Sequence, residues 1–151
     1  ISFVDVNTGL QNRAAYSHYQ QNADFTGMGQ LAVVFIDVNG LHELNNRLGH
    51  QAGDEMLRFV GQLCVQMFPE NRVYRLGGDE FLMVIERKEQ CVIQQTMDAL
   101  NAKVQEAGYS IAYGLEFRRE NFNLEDMVNA ADNKMLGAKA EHYRKLDREG
   151  R

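Results

Sequence analysis

Little in this sequence interrupts the chain. It holds one proline, Pro69, in 151 residues, and no tract rich in glycine and serine, so no internal linker is marked. No segment repeats, and none is of low complexity. The longest purely apolar run, Leu31 to Ile36, is far too short to span a bilayer, and no secretory leader pattern is visible at the start. Positive charge is in deficit, with 16 Lys and Arg against 21 Asp and Glu and a formal net charge of −5. That balance argues against broad electrostatic binding to nucleic acid or to an anionic membrane. An anionic ligand would need a metal ion or a local cluster of donors. Cysteine is scarce: Cys64 and Cys91 have no metal-ligand spacing, and Cys64 falls on an apolar helical face as a core residue. A reducing, cytoplasmic setting fits. The first residue is Ile1 rather than Met, so the expectation is a piece of a longer protein.

What is present suits one domain over residues 1–151. The length is close to the modal domain size, and 44% hydrophobic with 25% charged residues is an ordinary globular composition. The most informative stretch is Arg75-Leu76-Gly77-Gly78-Asp79-Glu80-Phe81. Strand-like runs flank it, Val73-Tyr74 before and Phe81 to Ile85 after. Paired glycines between such runs signal a hairpin, because glycine accepts the positive φ of tight turns. Two carboxylates at the tip offer hard oxygen ligands to Mg²⁺ beside a backbone that a ligand can approach closely. Taken alone, the heptad fits a solvated acidic turn equally well.

In chain order, Asp5 to Leu10 is a turn and helix-start signal, with Asn12 as N-cap of a helix over Arg13 to Asn22. Gln30 to Val38 is a strand, apolar on both faces between Leu31 and Ile36 and therefore central. It ends on Asp37, a carboxylate that needs a cation or donors where the strand exits the core. If this strand pairs beside the hairpin, Asp37 meets Asp79; otherwise it caps the next helix. Asn39-Gly40-Leu41 leads into a helix from Leu41 to Leu48, closed by Gly49, whose first amides are donors for phosphate oxygens. A longer helix reaches about Phe68 and has Asp54 at its start, where the macrodipole favours an acid. Its stripe of Met56, Val60, Leu63, Cys64 and Met67 is core. Further helices are expected over Val92 to Gln105 and from Leu124 to about Lys139 with a basic, solvated continuation. Tyr109 to Phe117 is a strand with a face of small residues. Strands alternate with helices while the hairpin forces antiparallel pairing, so the fold class is α/β (α+β), a mixed or antiparallel sheet with helices on its faces.

Five segments, in order, resemble the GGDEF family of diguanylate cyclase domains. They are Asp5-x-x-Thr8-Gly9-Leu10-x-Asn12-Arg13, Asp37 to Leu41 with Asn45 and Gly49-His50-x-x-Gly53-Asp54, Gly77 to Phe81, Ser110-Ile111-Ala112-x-Gly114, and Ala131-Asp132-x-x-Met135-x-x-Ala138-Lys139. Asn7 stands where leucine is commoner. The resemblance implies a palm-like fold shared with nucleotidyl cyclases, with a central, mainly antiparallel five-stranded sheet flanked by helices. It implies condensation of two GTP into cyclic di-GMP, releasing pyrophosphate, with Mg²⁺ or Mn²⁺ as cofactor and two domains face to face as a homodimer. Carried over, Asp37 and Asp79 bind metal through side chains and Val38 through its carbonyl, while Glu80 is a second-metal or base-like carboxylate. Asn45 and Asp54 read the guanine edge, since an acid suits the N1–H and N2–H₂ donors of guanine and repels the N1 lone pair of adenine. Gly77 and Gly78 lie against the nucleotide. Gly40 and Leu41 hold the terminal phosphates, with His42 nearby and Lys139 assisting.

Three departures bear on activity. His42 replaces the usual lysine, and histidine is mostly neutral near pH 7. Tyr143 stands where an arginine often assists the phosphates, and Arg144 beside it points about 100° away around a helix. The inhibitory Arg-x-x-Asp of many members is represented by Phe68 and Asn71, so no product inhibition is expected through that site. The alternative to a working cyclase is a weak or inactive GTP-binding scaffold that regulates a linked domain. A fused sensory or regulatory domain is expected either way, and the parent could be membrane-tethered. A palm-type nucleotidyltransferase acting on nucleic acid is disfavoured, because no basic, aromatic-rich groove is encoded.

Overall fold

The computed structural model describes residues 2–150. Ten elements follow in order: β1 (Gln11–Asn12), α1 (Arg13–Asn22), β2 (Leu31–Val38), α2 (Leu41–Leu48), α3 (His50–Met67), β3 (Arg72–Gly77), β4 (Glu80–Glu86), α4 (Gln90–Glu106), β5 (Ile111–Arg118) and α5 (Leu124–Glu149). One five-stranded sheet has the order β1-β3-β4-β2-β5. All neighbours are antiparallel except the two-residue β1, which runs parallel to β3. The anticipated fold class is therefore the observed one.

The apolar pattern of β2 explains its central place. Its residues are all buried, and alternate side chains serve two cores because successive Cβ atoms point to opposite faces. Ala32, Val34, Ile36 and Val38 pack with α3 and α4 residues such as Val60, Cys64, Ile93 and Met97. Leu31, Val33 and Phe35 pack with Tyr16 of α1 and Met127 and Met135 of α5. On β5, Gly114 fits the close approach of α5: a Cβ there would collide with the Ala131 carbonyl and the Met135 amide.

Some boundaries differ from expectation. The helix expected to carry Asp54 at its start begins at His50. Asp54 thus lies in the second turn, where the macrodipole argument has lost most of its force. Strand β5 begins at Ile111 because the amides of Gly108 and Tyr109 still close the end of α4 on Gln105 and Val104. The last helix continues beyond Lys139 to Glu149. Among the described residues no helix is long and apolar enough to cross a membrane.

Candidate active site

The site forms where β2 ends beside the β3–β4 hairpin. Antiparallel register sets Asp37 opposite Glu80, and the Val38 amide donates to the Asp79 carbonyl at 2.8 Å. Strand end and hairpin tip are thereby fixed to each other. One carboxylate oxygen from each of Asp37, Asp79 and Glu80 lies within 4.8 Å of the others. The tip itself needs glycine: Gly77 has φ +150° and Gly78 φ +48°, conformations that L side chains rarely adopt.

The electrostatics of this cluster are unbalanced. Asp37 is 4% exposed, and Lys139, reaching across from α5, donates to its Oδ2 at 3.0 Å. Burial raises the Asp37 pKa; the Lys139 bond opposes the rise, and Asp79 adds to it. Glu80 is raised as well, by burial first and then by Asp79 and Asp37. Lys139 is raised by its bond to Asp37. The other Asp37 oxygen, Oδ1, is buried with no hydrogen-bond partner. Three converging carboxylates, one of them with an orphaned buried oxygen, make a ligand set suited to a hard divalent cation.

Around the cluster, α2 starts at Gly40, which has φ +77° and leaves the helix N-terminus without a side-chain cap. The first amides, those of Leu41 and His42 among them, are consequently available to an anion. Asn45 packs into the space left by Gly53, beside exposed Asp54, and its Oδ1 is buried and unpaired.

A supporting bridge was not legible in the sequence. Arg75 donates to the Gly78 carbonyl through Nε at 3.2 Å and Nη2 at 2.8 Å. Its Nη1 reaches Asp5 Oδ2 at 3.0 Å. Asp5 also accepts from the Thr8 amide and hydroxyl at 2.9 and 2.7 Å. Partial burial works against its ionisation, but these bonds outweigh it and lower its pKa. Arg13, one position into α1, donates to the Leu76 carbonyl at 3.0 Å. The N-terminal turn therefore braces the hairpin tip. Its sequence signal was the spacing of Asp5 and Thr8, which by itself reads more readily as a plain helix start.

The sequence model described as "Diguanylate cyclase, GGDEF domain" matches residues 2–145. The chain belongs to the GGDEF family. This GGDEF domain is 27% identical to the diguanylate cyclase DgcS of Shewanella oneidensis, over 92% of this chain and 50% of that protein. It is 31% identical to the cyclic di-GMP phosphodiesterase PdeB of the same organism, over 88% of this chain and 17% of that protein. The chain thus spans half or less of these curated relatives. The GGDEF domain of DgcB from Caulobacter crescentus, solved in complex with c-di-GMP, superimposes with a TM-score of 0.83 at 21% identity, covering 93% of this chain and 92% of that one.

The departures noted in the sequence have structural counterparts in this GGDEF domain. His42 is exposed on α2, with Nε2 3.1 Å from Asn46 Nδ2. Tyr143 is 43% exposed on α5. Arg144 pairs with Glu141 at 2.7 Å. Phe68 is a core residue, and Asn71 is held by the Pro69 carbonyl and the Glu86 amide. Neither position offers a guanidinium or a carboxylate.

Proposed function

We propose that this domain is a diguanylate cyclase, condensing two GTP into cyclic di-GMP with loss of two pyrophosphates. The observation that carries the reading is the convergence of Asp37, Asp79 and Glu80, with an unpartnered Asp37 oxygen, beside an uncapped helix start. Asp37 and Asp79, with the Val38 carbonyl, would hold Mg²⁺ or Mn²⁺, and Glu80 borders the same pocket. A divalent ion held there would neutralise charge building on the α-phosphate and lower the pKa of the attacking hydroxyl. The 3′-oxygen of one GTP bonds to the α-phosphorus of the other as the bond to pyrophosphate breaks. Glu80, whose pKa is raised by burial and neighbouring acids, accepts the hydroxyl proton. The step then repeats with the roles exchanged.

Amides at Gly40 and Leu41, with Lys139 and His42, face the terminal phosphates. Asn45 and Asp54 select guanine, and Gly77 and Gly78 let the nucleotide approach the backbone. Each domain holds one GTP, so turnover takes a face-to-face homodimer. In this reading residues 1–151 are a single domain of a longer cytoplasmic or membrane-tethered signalling protein, and a fused region controls the pairing. A second reading, a GTP-binding module that regulates a linked domain without turnover, is favoured by His42 and Tyr143 and by likeness to a phosphodiesterase.

Concentrated protein incubated with GTP and Mg²⁺ or Mn²⁺ separates the two. Cyclic di-GMP is expected from the wild type. Glu80→Gln should retain GTP while losing turnover. GTP binding without product in the wild type would support the regulatory module instead.

A further inference from the structure

Lys139 belongs to α5, yet its ammonium rests 3.0 Å from Asp37 Oδ2 at the end of β2. The helix is fixed by packing rather than by this pair, since α5 lies directly on Gly114 at Ala131 and Met135. Lys139 follows Met135 by four positions and so stands on the same helical face, over the sheet. Its side chain is 32% exposed while that of Asp37 is 6% exposed. The lysine can therefore leave through solvent, whereas the carboxylate cannot.

The chemistry of the pocket gives this pair a consequence. The ammonium against Asp37 stands beside the carboxylates of Asp37 and Asp79 that would hold a dication, and two cations that close repel strongly. A triphosphate reverses the balance, because it supplies several negative charges and gives the lysine somewhere else to go.

We propose that Lys139 is the built-in counter-ion of Asp37 and is exchanged for the metal when nucleotide arrives, so that the pocket disfavours a bare divalent ion and admits one accompanied by a triphosphate. This rests on the metal and nucleotide reading above and adds a gating role to a residue assigned there to phosphate binding. An ion pair too far from the metal position to feel it would not behave this way, since its loss would leave metal affinity unchanged.

Mn²⁺ binding by calorimetry tests it on the whole chain, with and without 3′-deoxy-GTP, which lacks the attacking hydroxyl. Lys139→Met should bind Mn²⁺ alone about tenfold more tightly than wild type, as expected for removing one nearby positive charge. With 3′-deoxy-GTP the order should invert, the variant binding the metal–nucleotide pair more weakly. Lys139→Arg, which keeps the charge, should stay close to wild type in the absence of nucleotide and shows that the position tolerates change. Unchanged, weaker or undetectable Mn²⁺ binding by Lys139→Met without nucleotide overturns the inference. Asp37→Asn separates this from failure of the underlying reading: equal Mn²⁺ affinity in Asp37→Asn and wild type would mean that the metal site itself is misplaced.

Discussion

Asp37 shows how a buried carboxylate opposes stability at a single residue. Its folded pKa is raised, with burial as the leading cause and Lys139 only a partial offset. A raised folded pKa means that folding favours the protonated form. The contribution to stability is therefore full below the ordinary carboxylate range and is lost as pH rises through the folded value. At neutral pH the ionised group destabilises the metal-free fold. Asp37→Asn, which keeps the shape and removes the charge, should raise the thermal midpoint in EDTA at neutral pH. That gain should shrink as the pH falls towards the carboxylate range. Melting curves of both proteins across that interval check it; a variant less stable than wild type at neutral pH would mean that the Lys139 pair outweighs the burial cost. Glu80 is raised by the same causes, so the cluster as a whole is poised for a cation.

At the scale of elements, the path from sequence to site runs through α5 and β5. Gly114 admits the α5 backbone, and α5 in turn delivers Lys139 to Asp37. Gly114→Ala adds a Cβ that meets the Ala131 carbonyl and the Met135 amide, and neither backbone group can rotate aside. Overpacking of this kind typically costs about 1–3 kcal/mol. Denaturant unfolding should show a loss of that order, with turnover falling as Lys139 is displaced; an unperturbed midpoint would mean that α5 shifts freely. The small-residue face of β5 was legible beforehand, as was β2, because the six consecutive apolar residues Leu31 to Ile36 leave an unambiguous record. The convergence of Asp37 with the hairpin acids was legible only as a condition on which strands pair. Strand β1 was not legible, since two residues carry no period. Nor was the role of Arg75: a strand arginine is ordinary, and its bonds to Gly78 and Asp5 join positions 3 and 70 residues away. Asp54 was placed on the right helix but one turn too early, because the start of α3 at His50 has no side-chain cap to announce it.

For the whole molecule, the cluster lies at one end of the sheet, where β2, the β3–β4 tip and the start of α2 meet. In the proposed reaction a single copy would place one set of carboxylates against one triphosphate, while the product would contain two nucleotides joined by two equivalent linkages. Two-fold symmetry satisfies both requirements, since each copy presents to its partner what the partner presents to it. Within residues 2–150 both cysteines are free, Cys64 buried and Cys91 exposed. In this reading the productive assembly is a non-covalent pair set by mass action. At saturating GTP and metal, specific activity should rise with protein concentration, with initial rates approaching second order in protein when dilute. Fusing a parallel dimeric coiled coil ahead of Ser2 should raise activity at low concentration by supplying a high effective concentration of the partner. Specific activity that stays flat across about a hundredfold dilution, with no gain from the fusion, would mean that one copy completes the reaction alone. The two-fold arrangement would then have to be abandoned even with cyclic di-GMP as the product.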